Sequence, residues 1–235
     1  MTKAKVYRPL PLTLAAAVAL LAALVAIAVS GGHPAQAHSA ASHRGKATAA
    51  TKGRITEAEL ALRNEMRRLW EDRVTWTRLA IISLTTDSPD TEATVGRLLA
   101  NQTDIGNAIK PFYGTTAGNQ LTELLRGHIL IAADLVRTAK AGDEAKLADA
   151  QARWEANAHE IATFLNSANP RHWKLGALDS MLGEHLRLTT EEAVARLQGD
   201  WAADVAAYDR IHHHALQMAD TLSQGIVKQF PRRFR

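Results

Sequence analysis

One helical pattern occurs three times along this chain, and the repetition leaves few architectures open to it. Met66-x-x-Leu69-Trp70-x-x-Arg73-Val74 matches Leu121-x-x-Leu124-Leu125-x-x-His128-Ile129 and Leu178-x-x-Met181-Leu182-x-x-His185-Leu186, at offsets of 55 and 57 residues. Downstream, Ala100-Asn101-x-x-Asp104-Ile105 matches Ala156-Asn157-x-x-Glu160-Ile161 and, more faintly, His213-His214-x-x-Gln217-Met218. A turn-forming break separates the halves of each copy: Asp87-Ser88-Pro89-Asp90, Gly142-Asp143 and Gly199-Asp200. Self-similarity at such a period means one supersecondary unit repeated, here most simply a helical hairpin. Apolar residues recur at three and four, and nothing over 55–231 alternates with period two long enough for a strand. The expected fold is therefore all-α: a helical bundle of three repeated antiparallel hairpins, about six helices, spanning about 56–113, 114–170 and 171–230.

Local signals sharpen the boundaries. Helix one is expected from near Thr56 to Thr85, and helix two from Pro89-Asp90 to about Lys110, because Pro111 restricts the residue before it. Helix three starts around Thr116-Ala117 and stops at Gly142, with Asp143 capping helix four. Helix four ends at Asn169-Pro170. Thr189-x-x-Glu192 has the form of a capping box and argues for a break there, whereas the repeat carries helix five on to Leu197. The repeat is the stronger signal. Helix six then runs from Trp201 to about Lys228 through Val205, Tyr208, Ile211, Ala215 and Met218. Trp70, Trp76, Trp154 and Trp201 each sit beside an apolar stripe and read as core or interhelix residues.

The N-terminal region has a different character. Lys3, Lys5 and Arg8 precede an uninterrupted apolar run from Leu14 to Val29, and Ala35-Gln36-Ala37 offers a small-x-small cleavage pattern. Residues 1–37 thus read as a signal peptide, with an uncleaved N-terminal membrane anchor as the alternative. Either implies a secreted or extracytoplasmic protein, touching a membrane only through that segment. Residues 38–54 hold no large apolar side chain and read as a disordered linker. The bundle is assigned 55–231, and 232–235 is a basic tail expected to be solvated. The chain has no cysteine, so stability must come from the core.

The basic pI of about 9.5 misleads. Ten of the 28 Lys and Arg residues lie in 1–54 and in the tail, which leaves 18 against 24 acidic residues over 55–231. A phosphate-binding face needs its basic residues on the folded body, so nucleic acid is not an expected partner.

The repeat also places polar residues inside. His128 lies about fourteen residues before the Gly142-Asp143 turn and Asn157 about fourteen after it, so both stand roughly 21 Å from the turn and level with each other. Both fall on apolar stripes. The same construction pairs Arg73 with Asn101 and His185 with His214, giving one polar layer across mid-bundle. Asp104, Glu160 and Gln217 sit one turn beyond and Asp204 lies nearby, all within reach of joining it. A buried polar group without a partner costs about 1–3 kcal/mol, so these side chains satisfy one another or a ligand. The ligand-binding set read from the sequence is Arg73, Asn101, His128, Asn157, Glu160, His185, Asp204 and His214. His128, His185 and His214 would suit a divalent metal as the cofactor, with Glu160 or Asp204 at hand. Arg73, standing where the other copies have histidine, would grip a small anion.

Enzymatic signatures are missing. His159-Glu160-Ile161-Ala162-Thr163 opens like a zinc-protease helix but has Thr163 where the second histidine belongs. Asp209-x-x-His212 occurs once, short of a di-iron set. No nucleophile elbow, phosphate loop or dinucleotide fingerprint occurs. The segments Asp104-Ile-Gly-Asn-Ala-Ile-Lys-Pro-Phe-Tyr-Gly114, Leu125-Arg-Gly-His128, Ala156-Asn157-Ala-His-Glu160 and Asp200-Trp-Ala-Ala-Asp204 resemble an uncharacterised family of exported all-helical proteins of Gram-positive bacteria. That resemblance, covering roughly Leu62 to Phe230, implies export and a helical fold and transfers no catalytic residue. The functional expectation is a helical-bundle binding module of the cell envelope, holding a metal ion or a small anionic or polar molecule at the mid-bundle layer. The alternatives are a structural or protein-interaction protein of the envelope with a purely internal layer, and an enzyme of unknown reaction.

Overall fold

The computed structural model describes residues 55–235; the expected signal or anchor segment 1–37 and the expected linker 38–54 lie outside the described residues. Within them the protein is all-α, with five helices and no strand: α1 (Glu57–Thr86), α2 (Thr91–Ala141), α3 (Glu144–Ala168), α4 (Leu175–Gln198) and α5 (Trp201–Gln229), followed by a short 3-10 turn, Pro231–Phe234. No helix among the described residues is long and apolar enough to cross a membrane.

The helix ends follow the chemistry of the chain. Thr56 caps α1, its hydroxyl accepting from the Glu59 amide at 3.3 Å. Asp143 and Asp200 cap α3 and α5 through the amides of Lys146 and Ala203. Asp87, Gly142 and Gly199 close α1, α2 and α4 in the left-handed region, where two of the three are the residue type that bears it without strain. The Thr189 box does not break α4. Its hydroxyl turns back to the His185 carbonyl at 2.8 Å, and the helix runs on to the Gly199 turn.

The expected break at Pro111 falls three residues later. Helix continues through Pro111 to Gly114, whose φ of 84° and ψ of 168° depart from it, and then resumes at once. Only glycine takes that conformation readily, so the kink belongs to Gly114 rather than to the proline. Across the kink the two arms of α2 press together at Gly106 and Gly118. A Cβ on Gly106 would stand 2.5 Å from the Gly118 carbonyl, and one on Gly118 2.6 Å from the Gly106 carbonyl.

α1 packs on α2 and α5, α2 on α3, α3 on α4, and α4 on α5. Met66, Leu69, Ile105, Leu147, Ile161, Ile211 and Ile226 are the largest fully buried apolar side chains of the core. Two expectations about the periphery fail. Trp201 and Val205 are each 52 % exposed, and Trp201 instead lies under the Arg196 guanidinium at 4.6 Å. The tail is docked through Phe234, while Arg232, Arg233 and Arg235 stay exposed. Phe234 is buried, stacks on Phe112 at 5.8 Å, and its carbonyl accepts from the Thr56 hydroxyl at 2.9 Å.

Candidate functional site

Arg73, Asn101, His128, Asn157 and His185 are all buried, on α1 to α4, and His214 on α5 is half-buried beside them. The His128 ring lies 6.2 Å from that of His185, which lies 6.3 Å from that of His214. His128 and Asn157 meet as the spacing requires, Nδ1 to Oδ1 at 2.8 Å. Asn157 donates through Nδ2 to the Leu124 carbonyl at 3.2 Å, which leaves Oδ1 as its acceptor. Neutral His128 therefore donates from Nδ1 and presents a lone pair at Nε2.

The other two pairings differ. Asn101 donates to the Leu69 carbonyl at 3.1 Å and accepts from Gln102 at 3.1 Å, so its amide serves the backbone of α1 rather than Arg73. His185 and His214 stack at an interplanar angle of 22°, and His214 Nε2 is held 3.0 Å from the Met181 carbonyl, which makes it the donor. The second-tier residues do not join. Asp104, Glu160 and Gln217 are exposed, Glu160 on a surface groove with Tyr113, Gln120 and His159. Asp204 is buried but belongs to a different cluster. A helical residue swings 100° with each step, so one position of error moves a carboxylate from interior to solvent.

Among the described residues, no group of three or more His, Cys, Asp or Glu side chains is disposed to hold a metal ion. The rings of His128, His185 and His214 follow one another in a row, and the first and last have ring nitrogens committed to Asn157 and Met181. The metal reading draws no support from this arrangement.

Arg73 is the anomaly of the layer. Its side chain is buried, its residue only 5 % exposed, with no carboxylate partner among the described residues and no hydrogen bond at Nε. Burial alone brings its pKa down to about 10. The same burial, reinforced by the Arg73 charge, drives His128 down to about 3 and His185 well below its usual range, so both rings are neutral. His128 Nε2, His185 Nδ1 and the Trp154 indole nitrogen are likewise buried without partners. The Trp154 ring stands 5.2 Å from that of His128.

An apolar cavity of about 40 Å³ adjoins this layer. Its wall contains Thr77, four residues after Arg73; Leu98, three before Asn101; Ala132, four after His128; Trp154, three before Asn157; and Thr189, four after His185. Each is one helical turn from a layer residue, so the cavity stacks directly on the polar level. The rest is Thr190, Ala80, Ala133, Ala193 and branched aliphatics.

Sequence reasoning missed a second buried polar cluster. Arg78 donates to Glu192 at 2.8 Å and to both oxygens of Asp204 at 2.9 and 3.1 Å, while Arg196 reaches Asp204 at 3.1 Å. Glu192 and Asp204 are each 1 % exposed. These partners lie more than 100 residues from Arg78 in sequence and outside the repeated motif, so no local pattern joins them. Gln102 was also missed, although it follows Asn101 directly and is fully buried.

No family model, curated protein or solved structure matches this chain.

Proposed function

We propose that the protein is a binding module that takes a small anion at the mid-bundle layer, with Arg73 as the gripping group. One observation carries this reading: a buried guanidinium has no carboxylate beside it and is flanked by histidines that burial holds neutral. An isolated buried charge is among the costliest arrangements a core can contain, and an anion that enters relieves that cost. Trp154 supplies a second unpartnered donor. The amides have another role. Asn101 and Asn157 are tied to neighbouring helices by hydrogen bonds and Gln102 braces Asn101 from the same helix, which favours a register-setting function for them, as in other polar layers inside helical assemblies.

This reading retains the three-hairpin duplication as the origin of the layer and export as the setting. The basic-then-apolar start and the Ala35-Gln36-Ala37 pattern support export. An N-terminus at His38 in secreted material is the expected result, and a chain confined to the cytoplasm would contradict it.

The test is calorimetric titration of the protein with chloride, formate, acetate and inorganic phosphate, paired with thermal melts. At least one of these anions is expected to bind and to raise the melting temperature by mass action, and Arg73→Met is expected to abolish both effects. Binding is expected to strengthen as the pH falls from neutrality toward the range where His128, held down to about 3, takes up a proton, because an anion at the layer favours protonation of its Nε2 lone pair. Absence of heat and of any shift across the anion set would sink the proposal.

A further inference from the structure

The cavity stacked on the polar layer bears on what kind of anion fits. It is continuous in register with Arg73 and His185 through Thr77 and Thr189, shares the Trp154 wall with His128, and apart from Thr190 is otherwise lined by aliphatic side chains. An inorganic anion would leave this space unused. A carboxylate with a hydrocarbon chain would place its two ends in two environments the protein already provides. We infer that the ligand class is a short-chain aliphatic monocarboxylate, its carboxylate on Arg73 and the Trp154 indole N–H, its chain in the cavity beyond Thr77 and Thr189. This inference rests on the anion reading above and narrows it to one chemical class.

The size of the space sets the chain length. A water molecule needs roughly 10–15 Å³ by the same kind of measure, so 40 Å³ accepts on the order of three carbon-sized groups. Propionate, butyrate and branched acids of similar length fit, whereas longer chains must displace Ile81, Leu84 or Val136 at the far wall. The small residues Ala80, Ala133 and Ala193 determine how much of that space is open.

The experiment is a calorimetric series on the full-length protein with formate, acetate, propionate, butyrate, hexanoate and octanoate at one pH. Affinity is expected to rise about fourfold with each added carbon as far as butyrate, the increment for burying one methylene, and then to level off or fall. Ala193→Leu, which fills the cavity without touching the layer, is expected to remove the rise and leave formate binding within about twofold. Ala80→Val provides the same check should the larger substitution disturb folding. Formate and butyrate binding equally well to the wild-type protein would overturn the inference and leave the anion reading intact. A rise that persists unchanged in both cavity variants would also overturn it, since the chain would then lie elsewhere. Failure of every carboxylate, with inorganic phosphate or chloride still bound in an Arg73-dependent way, would overturn it too. Failure of every anion would remove both readings together.

Discussion

Two arginines five residues apart on α1, Arg73 buried and Arg78 half-buried, meet opposite conditions. Arg78 is gripped by Glu192 and Asp204 and shares Asp204 with Arg196, so two guanidiniums meet two carboxyl groups at the junction of α1, α4 and α5. Its hydrogen bonds to the two carboxylates raise its pKa despite burial. Arg73 has no such partner, and burial alone lowers its pKa. A compensated buried charge fixes how helices sit against one another. An uncompensated one costs stability in the free protein, and its retention makes physical sense only if something negative comes to it.

The comparison can be broken experimentally, and the largest effect belongs to the balanced cluster. Arg78→Met strands two buried carboxylates and is expected to destabilise the bundle by about 3–5 kcal/mol in chemical denaturation. A loss below about 1 kcal/mol would show that the cluster is open to water. Arg73→Met is expected to act in the opposite direction. Removing an unpaired guanidinium from the core should stabilise the anion-free protein, by about 3 kcal/mol if the lowered pKa measures its burial cost. Destabilisation by that variant would mean the charge is already satisfied within the fold.

The smallest effect concerns Glu192. Burial pushes its carboxyl up to about 7 against the pull of Arg78, so the ionised form is disfavoured in the folded bundle. With the folded pKa above the unfolded one, its contribution to stability is full below the ordinary carboxylate range and is lost as the pH rises through 7. His128 and His185 act in the opposite sense: their pKa values are lowered by folding, so stability falls as the pH drops below about 6.5. The stability difference between wild type and Glu192→Gln isolates the first effect. It is expected to shrink by about 2 kcal/mol between pH 5 and pH 8, and a constant difference would refute the assignment.

Much of the helical framework was legible because each signal is local. Thr56, Asp143 and Asp200 cap helices where their side chains predict, and the glycines at 142 and 199 end them. The His128–Asn157 bond was legible for a different reason, because equal distances from a tight turn put two residues at one height. What failed was azimuth. Glu160 and Asp104 stand near the right level but face solvent, since height follows from residue count while direction depends on how each helix rolls against its neighbours. The kink illustrates a third limit. Proline is the conspicuous helix breaker, yet Gly114 absorbs the bend and Pro111 rides within the helix. The Arg78 cluster was invisible because its members lie on three helices whose mutual rotation no local pattern records.

The clasp between the first and last described residues has an orienting effect. Thr56 binds the Phe234 carbonyl and Arg233 lies over the Phe112 ring, so both ends of the bundle are fastened at the pole that carries the Gly114 bend. Leu84, near the Asp87 turn, lines the apolar cavity, placing that chamber toward the opposite pole. Any tether leading into Ile55 would hold the molecule by its closed foot and turn the end nearest the chamber outward.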